Sequence, residues 1–448
     1  MKNALVVNPY AADFKLYDEW MHPLGLYLLI SSLTHASWNI SFFNCLSRTA
    51  GAKDKRYGTG DFCHVELPKP PVYRNLQRKY KLYGRPADEL RSFLGACPAP
   101  DVIFCGTGMT YWIDGLQATI DILREFFPRA PLVMGGNSAI LVPDILRRRF
   151  PDAHIVSRPI FSGTDMQAAG IPFLSDPPHD TRPPSLAEGA ALISNPAHGP
   201  VLLTQGCPYA CTYCASSVLQ PGFQARPIEL VMQEIRAWYE RGARDFAFYD
   251  DALLYQADRG LLPLLRSLLA EGIKARFHVP NGMHVRWVTP DIADRMFQAG
   301  FVTLRFGYES GSGEFSRDTC GKTGRAMVRD TVSVLLKSGF SASQIGIYIM
   351  GGLPGQTARQ MRGEIEFIAS LGVRPKPVFL SPVPRTRLFD SYLSSHPEIG
   401  TDALWHNDAF FVTRLPGWGD QAMEELKLLA KEKISITLDA ADNPAPSA

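Results

Sequence analysis

The stretch Thr204–Ser217, "TQGCPYACTYCASS", places three cysteines within eight positions of a chain that has eight cysteines in 448 residues. A structural zinc site takes four ligands, usually as two separated pairs. The spacing here is Cys-x3-Cys-x2-Cys, and the nearest histidine, His198, lies upstream across a proline-bearing strand. An iron–sulfur cube held by three thiolates keeps one iron that has no protein ligand and can bind a substrate directly. We therefore predict that Cys207, Cys211 and Cys214 hold such a cluster; the simpler alternative is three thiols that have no cofactor or bind zinc.

The segment that contains the cysteines alternates between strands and helices. From residue 200, apolar runs such as "PVLLTQG" (200–206), the first predicted strand, "DFAFYDD" (245–251) and "FVTLRFGYES" (301–310) alternate with amphipathic runs such as "PIELVMQEIRAWYERG" (227–242). The pattern predicts six βα-type units that end near residue 385. Six units are too few for a closed eight-fold barrel and enough for an open one.

The first 160 residues show the same alternation with a different spacing. The strand-like runs are "ALVV" (4–7), "NISFFN" (39–44), "DVIFCGTG" (101–108), "PLVMGGNS" (131–138) and "AHIV" (153–156), and the helical runs open at Pro23 and cover 114–127 and 142–150. Strands separated by helices of this length predict a parallel, doubly wound sheet. Ligands bind beyond the carboxyl ends of the strands in such sheets.

The predicted fold class is therefore α/β, with an N-terminal Rossmann-like parallel sheet domain followed by a partial (β/α)6 barrel and a small helical C-terminal region. The predicted segments are the sheet domain at 1–160 with an insertion at 46–99 that is not a strand, a linker at 161–199, the barrel at 200–390, and a C-terminal helical segment with a tail at 391–448.

Composition narrows the function classes. With 46% hydrophobic and 20% charged residues and a net charge of +2, the chain has no signature of a polyanion-binding protein, so we expect no nucleic-acid partner. The longest early apolar stretch, "PLGLYLLISSL", is about half of the ~20 residues that a membrane span needs. We expect a cytoplasmic protein, where clustered cysteines indicate metal or redox chemistry.

The cysteine trio and the strand ends that follow it resemble the radical S-adenosylmethionine (SAM) superfamily. The matching features are an aromatic residue before the third cysteine, "YDDA" after the second strand, "PNG" after the third, "GYESGS" after the fourth and "MGGLPG" after the fifth. The resemblance implies that the open iron chelates SAM and that one electron cleaves it to a 5′-deoxyadenosyl radical. It implies SAM-binding roles for Tyr213, Asp250, Asp251, Asn281, Glu309, Ser310, Gly351 and Gly352. In "SPVPRTRL" the chain departs from the family, which more often has glycine where Arg385 stands, and Arg385 or Arg387 is a candidate for contacting an anionic group.

A Rossmann-like domain ahead of the barrel resembles the cobalamin-binding subclass, whose members are often methyltransferases. The resemblance implies that small or polar residues after the strands let the corrin lie on the sheet edge; these are Asn8, Gly106, Thr107, Gly108, Gly135, Gly136, Asn137 and Ser138. His22 stands where the histidine of an Asp-x-His-x-x-Gly motif would fall, but Trp20 replaces the aspartate. His22 is thus either a lower ligand of cobalt or a helix residue that abuts the corrin.

The resemblance leads us to expect a 4Fe-4S cluster, SAM and cobalamin, a small-molecule or peptide substrate, and an external electron donor such as flavodoxin or ferredoxin. The expected reaction is methylation of an unactivated carbon, and oxygen should destroy activity.

Five alternatives stay open at this stage. Cyclisation or ring rearrangement can use the same cofactors. A methylthiotransferase-like RNA-modifying enzyme would hold a second cluster on three of Cys45, Cys63, Cys97 and Cys105. The insertion, with Tyr57, Tyr73, Tyr80 and Tyr83, could stack bases, or it is a solvated lid on the barrel mouth, which the interleaved charges favour. A sensor built on corrin and cluster would need an effector domain, which the sequence does not show. Cys320 could serve as a hydrogen donor, or it is a structural thiol.

Overall fold

The computed structural model describes residues 2–49, 52–53, 55–159, 183–193, 195–309 and 324–442, with side chains described up to residue 433. The chain forms two compact units, which cut across the predicted segments. The first comprises Met1–Pro200, Gln233–Ala243 and Phe389–Asn407, and the second comprises Val201–Met232, Arg244–Leu388 and Asp408–Ala448. Ser310 and Cys320 lie outside the described residues.

The first unit is built on a five-stranded parallel sheet, as predicted. Its strands are β1 (Asn3–Asn8), β4 (Asn39–Asn44), β8 (Val102–Thr107), β9 (Leu132–Gly136) and β10 (Ala153–Ile155), in the order β10-β9-β8-β1-β4. After β1 the chain adds β4 on one side of β1, and then crosses back and adds β8, β9 and β10 on the other side. The switch point therefore lies between β1 and β8, where ligands bind in doubly wound sheets.

Burial on both faces explains the continuous apolar run in β1. Because successive side chains of a strand point to opposite faces, Leu5 and Val7 enter one core and Ala4 and Val6 the other. On the second of these faces, helix α1 (Leu24–His35) contributes Leu26, Ile30 and Leu33, while helix α3 (Ile113–Phe126) covers the first. The helical periodicity of the sequence thus matches the observed packing.

Residues 46–99 lie between β4 and β8 of the parallel sheet, but the prediction that this insertion contains no strand is wrong. This segment contains β5 (Gly60–Asp61), β6 (His64–Glu66), β7 (Lys81–Tyr83) and helix α2 (Ala87–Ala96). β7 lies between β6 and β2 (Ala11–Asp13) in an antiparallel sheet, and β5 pairs with β3 (Tyr17–Asp18). These strands are only two or three residues long, which is too short to give a recognisable alternation.

The tyrosines of this segment are core residues. Tyr73, Tyr80 and Tyr83 are buried, and their hydroxyls donate to Leu404 O at 2.6 Å, Asp114 Oδ2 at 3.1 Å and Phe14 O at 3.2 Å, respectively. Rings that are buried with satisfied hydroxyls are not available to stack on bases. Only Tyr57 keeps a partly accessible ring.

The second unit contains the six-stranded sheet of an open barrel, as predicted. Its strands follow the order β11 (Gly199–Val201), β14 (Asp245–Phe248), β15 (Arg276–His284), β16 (Phe301–Glu309), β17 (Ile345–Gly351) and β18 (Arg374–Phe379). The pairs from β14 to β18 are parallel. Helices at Leu261–Ala270, Pro290–Gln298, Arg325–Lys337 and Ala358–Ser370 connect these strands.

The predicted first barrel strand, "PVLLTQG", divides into two. After β11 the backbone leaves the sheet and re-forms as β12 (Thr204–Gly206), which pairs antiparallel with β13 (Phe223–Ala225). At the break, Arg226 donates from its guanidinium to Leu202 O and from its backbone N–H to Leu203 O. The buried backbone groups are therefore satisfied without a continuous strand.

In the described part of the chain, no helix has the length and apolar character needed to span a membrane.

Candidate functional site

The three predicted cluster ligands lie in the loop that joins β12 to β13. Gly206 and Gly222 stand at its two ends, both with a positive φ, +75° and +85°. A Cβ on Gly206 would lie 2.0 Å from Gly222 O, whereas a Cβ on Gly222 would have no atom within 4 Å. The N–H of Gly206 also donates to Gln220 Oε1 at 2.9 Å. The loop can therefore close only because residue 206 has no side chain.

The cysteines present a donor set that suits an iron–sulfur cube. Cys211 is buried, Cys207 and Cys214 are half-buried, and the N–H of Cys214 donates to Cys211 O at 3.2 Å. Within the described ranges, no three His, Cys, Asp or Glu side chains gather as they would around a single metal ion. A cube differs from a single ion because it takes each thiolate on a separate iron. The residues present therefore fit a cluster held by three cysteines.

Contacts from other segments hold three of the five residues between the cysteines of this loop. Arg387 donates from its guanidinium to Ala210 O at 2.8 Å, and the backbone N–H of Leu388 donates to Thr212 O at 2.9 Å. The indole N–H of Trp287 donates to the hydroxyl of Tyr209 at 2.6 Å. Arg387, one of the two arginines singled out in the sequence, thus binds the cluster loop itself.

A group of half-buried aromatic rings surrounds Tyr209, and sequence reasoning missed it. Tyr255 contacts the rings of Tyr209, Phe223 and Trp287, with centroids 6.5, 4.9 and 5.7 Å away. These residues come from three different connections of the barrel, so no local pattern could have signalled the group. Its effect is to fix the position of the residue two places after Cys207.

Arg385 has a backbone that explains the family's preference for glycine. Its φ is +66°, in the left-handed region, and its side chain is exposed. A residue with a Cβ is strained there by about 1–2 kcal/mol, whereas glycine is not. At position 385, where the sequence has arginine and the family more often has glycine, the arginine therefore carries backbone strain.

Tyr213 and Glu309, predicted from two separate motifs, are brought together. The hydroxyl of Tyr213 donates to the carboxylate of Glu309, and burial together with the charge of Glu309 raises the pKa of Tyr213 far above its usual value. Glu309 ends β16, is buried, and has a φ of +64°. A strained, buried carboxylate at a strand end is typical of a functional position.

The two aspartates that follow β14 (Asp245–Phe248) have different roles in the structure. Asp250 is buried and accepts from the N–H groups of Leu203 and Thr204 and from the Thr204 hydroxyl, at 2.7 Å for the last. Burial raises the pKa of Asp250 to about 6. With these bonds its carboxylate fastens the break after β11, and it is not directed to a ligand.

Asp251, by contrast, keeps an exposed surface. Partial burial raises the pKa of Asp251, and the neighbouring Ser216 opposes that rise. Asn281 is also exposed and donates from Nδ2 to Tyr249 O at 3.1 Å, so it lies beside the end of β14. Asp251 and Asn281 are therefore the polar side chains of this edge that a ligand can reach.

Gly351 and Gly352 have structural reasons to lack a side chain. A Cβ on Gly351 would lie 2.5 Å from Met361 Sδ, and one on Gly352, whose φ is +91°, would lie 2.6 Å from Val412 Cγ2. Gln356 accepts from the Gly352 N–H at 2.9 Å and donates to Met350 O at 2.9 Å. The role of these glycines in admitting an adenosyl group stays a prediction.

In the first unit, the glycine-containing ends of β8 and β9 bind each other. Thr107 donates from Oγ1 to Gly135 O at 3.0 Å, and Ser138 donates from its hydroxyl to Gly108 O at 2.8 Å. Gly136 has a φ of +110°, and a Cβ there would lie 2.6 Å from Thr107 O. The result is a compact edge on which Gly136 and Asn137 stay exposed.

Other predicted residues of this edge are placed as follows. Gly106 lies on β8, and a Cβ there would contact Leu26 of α1. Asn8 ends β1 and donates from Nδ2 to Asn44 Oδ1 at 2.7 Å, which joins the ends of β1 and β4. A narrow cleft at this edge is lined by Pro9, Tyr10, Thr107, Gly108, Trp112 and Ser138, among others.

His22 belongs to a buried chain of polar side chains. Its Nδ1 lies 3.1 Å from the hydroxyl of Tyr27, and its Nε2 lies 2.8 Å from Nδ1 of His198. Nε2 of His198 in turn lies 3.1 Å from Asp18 Oδ2, which Arg48 also contacts at 3.2 Å. Burial, and after it the neighbouring His198, hold the pKa of His22 well below its usual range.

In the sequence no aspartate stands two positions before His22. In the structure a carboxylate is linked to His22 indirectly, because Asp18 contacts His198 and His198 contacts His22. Asp18 and His198 are 180 positions apart, so spacing could not reveal the pair. Both ring nitrogens of His22 are engaged within the protein, which favours the interpretation of His22 as a residue that fixes the start of α1.

The four cysteines of the first unit do not gather. Cys45 and Cys105 are buried in the apolar core, Cys63 Sγ lies 2.9 Å from Thr49 Oγ1, and Cys97 is half-buried. No three of them form a group of ligands in the part of the chain that the structure describes. The arrangement offers no second three-cysteine site of the methylthiotransferase type.

Comparison with protein families gives one match. Residues 201–368 match the model of the Radical SAM superfamily. The matched range begins at β11, contains the cysteine loop and ends within the helix Ala358–Ser370.

Curated relatives are distant and are matched in part. Uncharacterized methyltransferase PH0819 of Pyrococcus horikoshii is 28% identical over 246 residues, 54% of this chain and 51% of that protein. Ribosomal protein uS12 methylthiotransferase RimO of Nitratiruptor sp. is 34% identical over 165 residues, 35% of this chain and 36% of that protein. The chain spans about half, or less, of the length of these relatives.

Solved structures share the fold over most of the chain. The radical S-adenosylmethionine methyltransferase TsrM from Kitasatospora setae, with cobalamin and a 4Fe-4S cluster bound, has a TM-score of 0.63 at 14% identity, over 88% of this chain and 78% of that chain. The cobalamin-dependent S-adenosylmethionine radical enzyme OxsB has a TM-score of 0.56 at 11% identity, over 97% and 61%. This likeness confirms the predicted fold class.

Proposed function

Because residues 201–368 of the chain belong to the radical SAM superfamily, we propose that the protein is a cobalamin-dependent radical SAM enzyme that methylates an unactivated carbon. The observation that carries the proposal is the loop after β12, in which three cysteines stand on a closed hairpin that Trp287 and Arg387 hold from two other segments. Asp251 after β14, Asn281 within β15 and Glu309 at the end of β16 follow in the same unit.

When bound, the cluster and SAM supply a 5′-deoxyadenosyl radical that removes hydrogen from carbon, and cobalamin supplies the methyl group. Cys207, Cys211 and Cys214 would hold the cluster. Asp251, with its exposed carboxylate, would accept from the amino group of SAM, and Asn281 would contact the same ligand. Tyr213 and Glu309 would position the ligand jointly, since each already fixes the other.

Several features of the first unit support a corrin site at the switch point of its sheet. The ends of β8 and β9 expose Gly136 and Asn137, and backbone groups at such an edge can approach a flat ligand closely. The space beside Gly135 is open, because a Cβ there would have only one atom, Val156 Cβ, within 4.0 Å. We propose that the corrin rests on this edge and that His22 supports α1 rather than binding cobalt.

The proposal includes partners of defined chemistry. A one-electron donor protein of the flavodoxin or ferredoxin class would reduce the cluster, and the methyl acceptor would be a small molecule or a peptide. The relatives named as methyltransferases and methylthiotransferases are compatible with a group-transfer reaction, and they leave the acceptor undefined.

Metal analysis of protein purified without oxygen from cells supplied with cobalamin tests the proposal. We expect about four irons and one cobalt per chain, together with reductive cleavage of SAM. The variant with Cys207, Cys211 and Cys214 all replaced by alanine is the control, and it should lose both iron and cleavage.

Three outcomes contradict the proposal at different levels. SAM cleavage by the triple variant would exclude the radical mechanism. Iron without cobalt would remove cobalamin and leave a plain radical abstraction. Roughly eight irons per chain, the content of two cubes, would favour methylthiolation.

A further inference from the structure

We propose that the edge of β6 binds an extended acidic peptide, which adds to the sheet β2-β7-β6 as a fourth strand. The peptide that fits this edge alternates acidic and apolar residues. The surface belongs to the first unit. The inference goes beyond the proposed function and is independent of it, because no residue of β6 or β7 is among the proposed cofactor contacts.

The hydrogen bonds between β6 and β7 show which backbone groups face the edge. The two strands pair antiparallel, and just beyond the paired residues the N–H of Leu67 donates to Tyr80 O at 2.9 Å. Because hydrogen-bonded pairs alternate along an antiparallel ladder, Val65 also bonds to β7. The N–H and C=O groups of His64 and Glu66 therefore point to the other side, where no described strand pairs with β6.

One face of this edge is basic. Lys79 Nζ lies 2.7 Å from Glu66 Oε2, and Lys81 Nζ lies 3.1 Å from His64 Nε2, so all four side chains share the face. Residues 64–85 contain six lysines and arginines and one acidic residue, whereas the whole chain has 46 and 44. Glu66 neutralises one of these charges, and the positive surplus complements acidic side chains.

The opposite face of the edge is apolar. Successive side chains of a strand alternate between faces, so Val65 points away from the lysines, and 60% of its surface is exposed. Its partner across the ladder is Leu82, which packs against the core of the first unit. An added strand would place an apolar side chain beside Val65 and remove this surface from water.

The two faces together specify the partner. In an antiparallel addition, the peptide residues opposite His64 and Glu66 exchange hydrogen bonds with them and have their side chains on the basic face. The peptide residues in between lie on the side of Val65. An alternating acidic and apolar sequence therefore satisfies the backbone groups, the charges and the apolar face together. A nucleic acid would meet the charges alone, because the three buried tyrosines of this segment offer no ring for stacking.

Fluorescence anisotropy tests the inference on the whole chain, purified with its cofactors. The probe is a labelled, capped heptapeptide of alternating glutamate and valine. One modified form is N-methylated at the glutamates, whose N–H groups face β6, and another at the valines, whose N–H groups face away. A scrambled peptide keeps the composition and groups the glutamates together.

The protein variants separate the local charges and the apolar face from the net charge. They are Lys79→Ala/Lys81→Ala, Val65→Asp, and the matched control Lys274→Ala/Lys337→Ala, which removes two exposed lysines of the second unit. Thermal unfolding of each variant shows that it is folded.

We expect the alternating peptide to bind wild type more tightly than the scrambled one. Lys79→Ala/Lys81→Ala should weaken binding about fivefold, and the difference should shrink at high salt. Val65→Asp should weaken binding as well, while the control variant binds like wild type. N-methylation at the glutamates should weaken binding by about tenfold or more, and N-methylation at the valines should have little effect.

Equal affinities for the two N-methylated peptides would overturn the inference, because the backbone of the edge would then take no part. So would equal weakening by the control variant, or an oligothymidylate of the same charge that binds as tightly as the alternating peptide. The variant without Cys207, Cys211 and Cys214 should bind the peptide like wild type, so a failure of the proposed function leaves this result unaffected.

Discussion

Replacing Gly206 with alanine should damage the cluster loop far more than the same change at Gly222. Both glycines have a left-handed φ and stand at the two ends of the loop. A Cβ on Gly222 meets open space, whereas a Cβ on Gly206 would lie 2.0 Å from Gly222 O. The pair therefore separates the cost of the backbone angle from the cost of the clash.

The expected magnitudes follow from these contacts. Alanine in a left-handed conformation costs about 1 kcal/mol of unfolding free energy after the entropy of glycine is considered, and Gly222→Ala should lose that amount. In Gly206→Ala the carbonyl oxygen of Gly222 must also move away from the new Cβ by about 1 Å or more to reach ordinary contact distance. This movement breaks the pairing of Gly206 with Phe223 and the hydrogen bond to Gln220. At about 1 kcal/mol each, the total loss is about 3 kcal/mol.

Thermal unfolding and iron content give two independent readouts. A loss of 1 kcal/mol lowers Tm by about 2–4 °C for a domain of this size, so Gly206→Ala should melt well below Gly222→Ala. Iron incorporation should be close to wild type in Gly222→Ala and strongly reduced in Gly206→Ala, because the cysteines lie between the displaced strands. Equal Tm values and equal iron contents in the two variants would refute the reasoning.

Two further predictions concern the backbone at Arg385 and the buried carboxylate of Asp250. At position 385, where φ is +66°, Arg385→Gly should be more stable than Arg385→Ala by about 1 kcal/mol in thermal unfolding. At the control position, exposed Arg359 in the helix Ala358–Ser370, the alanine variant should be more stable than the glycine variant. The same order at both positions would contradict the strain argument. Folding raises the pKa of Asp250 to about 6, so its contribution to stability is complete below the pKa of the unfolded chain and is lost as the pH rises through 6. In denaturant unfolding, the difference in unfolding free energy between wild type and Asp250→Asn should therefore shrink by up to about 3 kcal/mol between pH 4 and pH 7. A difference that does not change with pH would show that Asp250 is ionised throughout this range.

Local periodicity was sufficient for the architecture. The alternation of Leu5 and Val7 with Ala4 and Val6, and the spacing of Leu26, Ile30 and Leu33, are set by the repeat of a strand and of a helix. The strands at 39–44 and 102–107 were predicted within one residue at each end. The short strands of the insertion escaped because two or three residues do not contain a repeat.

The burial of Tyr73, Tyr80 and Tyr83 could not be predicted for a different reason. A tyrosine has an apolar ring and a polar hydroxyl, so its sequence context permits both a surface and a core position. The hydroxyl partners are Leu404, Asp114 and Phe14, and two of these lie 331 and 34 positions away from the tyrosine they accept from. Such partners exist only once the chain has folded.

By itself the sequence determined the fold class and the cysteine loop, because strand and helix repeats and the spacing of three thiols are properties of neighbouring residues. Only the tertiary structure decided what the polar residues do. It directed Asp250 to the backbone and left Asp251 exposed, joined Tyr213 to Glu309, placed Arg387 on Ala210 O, and connected His22 to Asp18 through His198. Adjacent aspartates are chemically identical in the sequence, and they differ once the folded chain buries one of them and supplies it with donors.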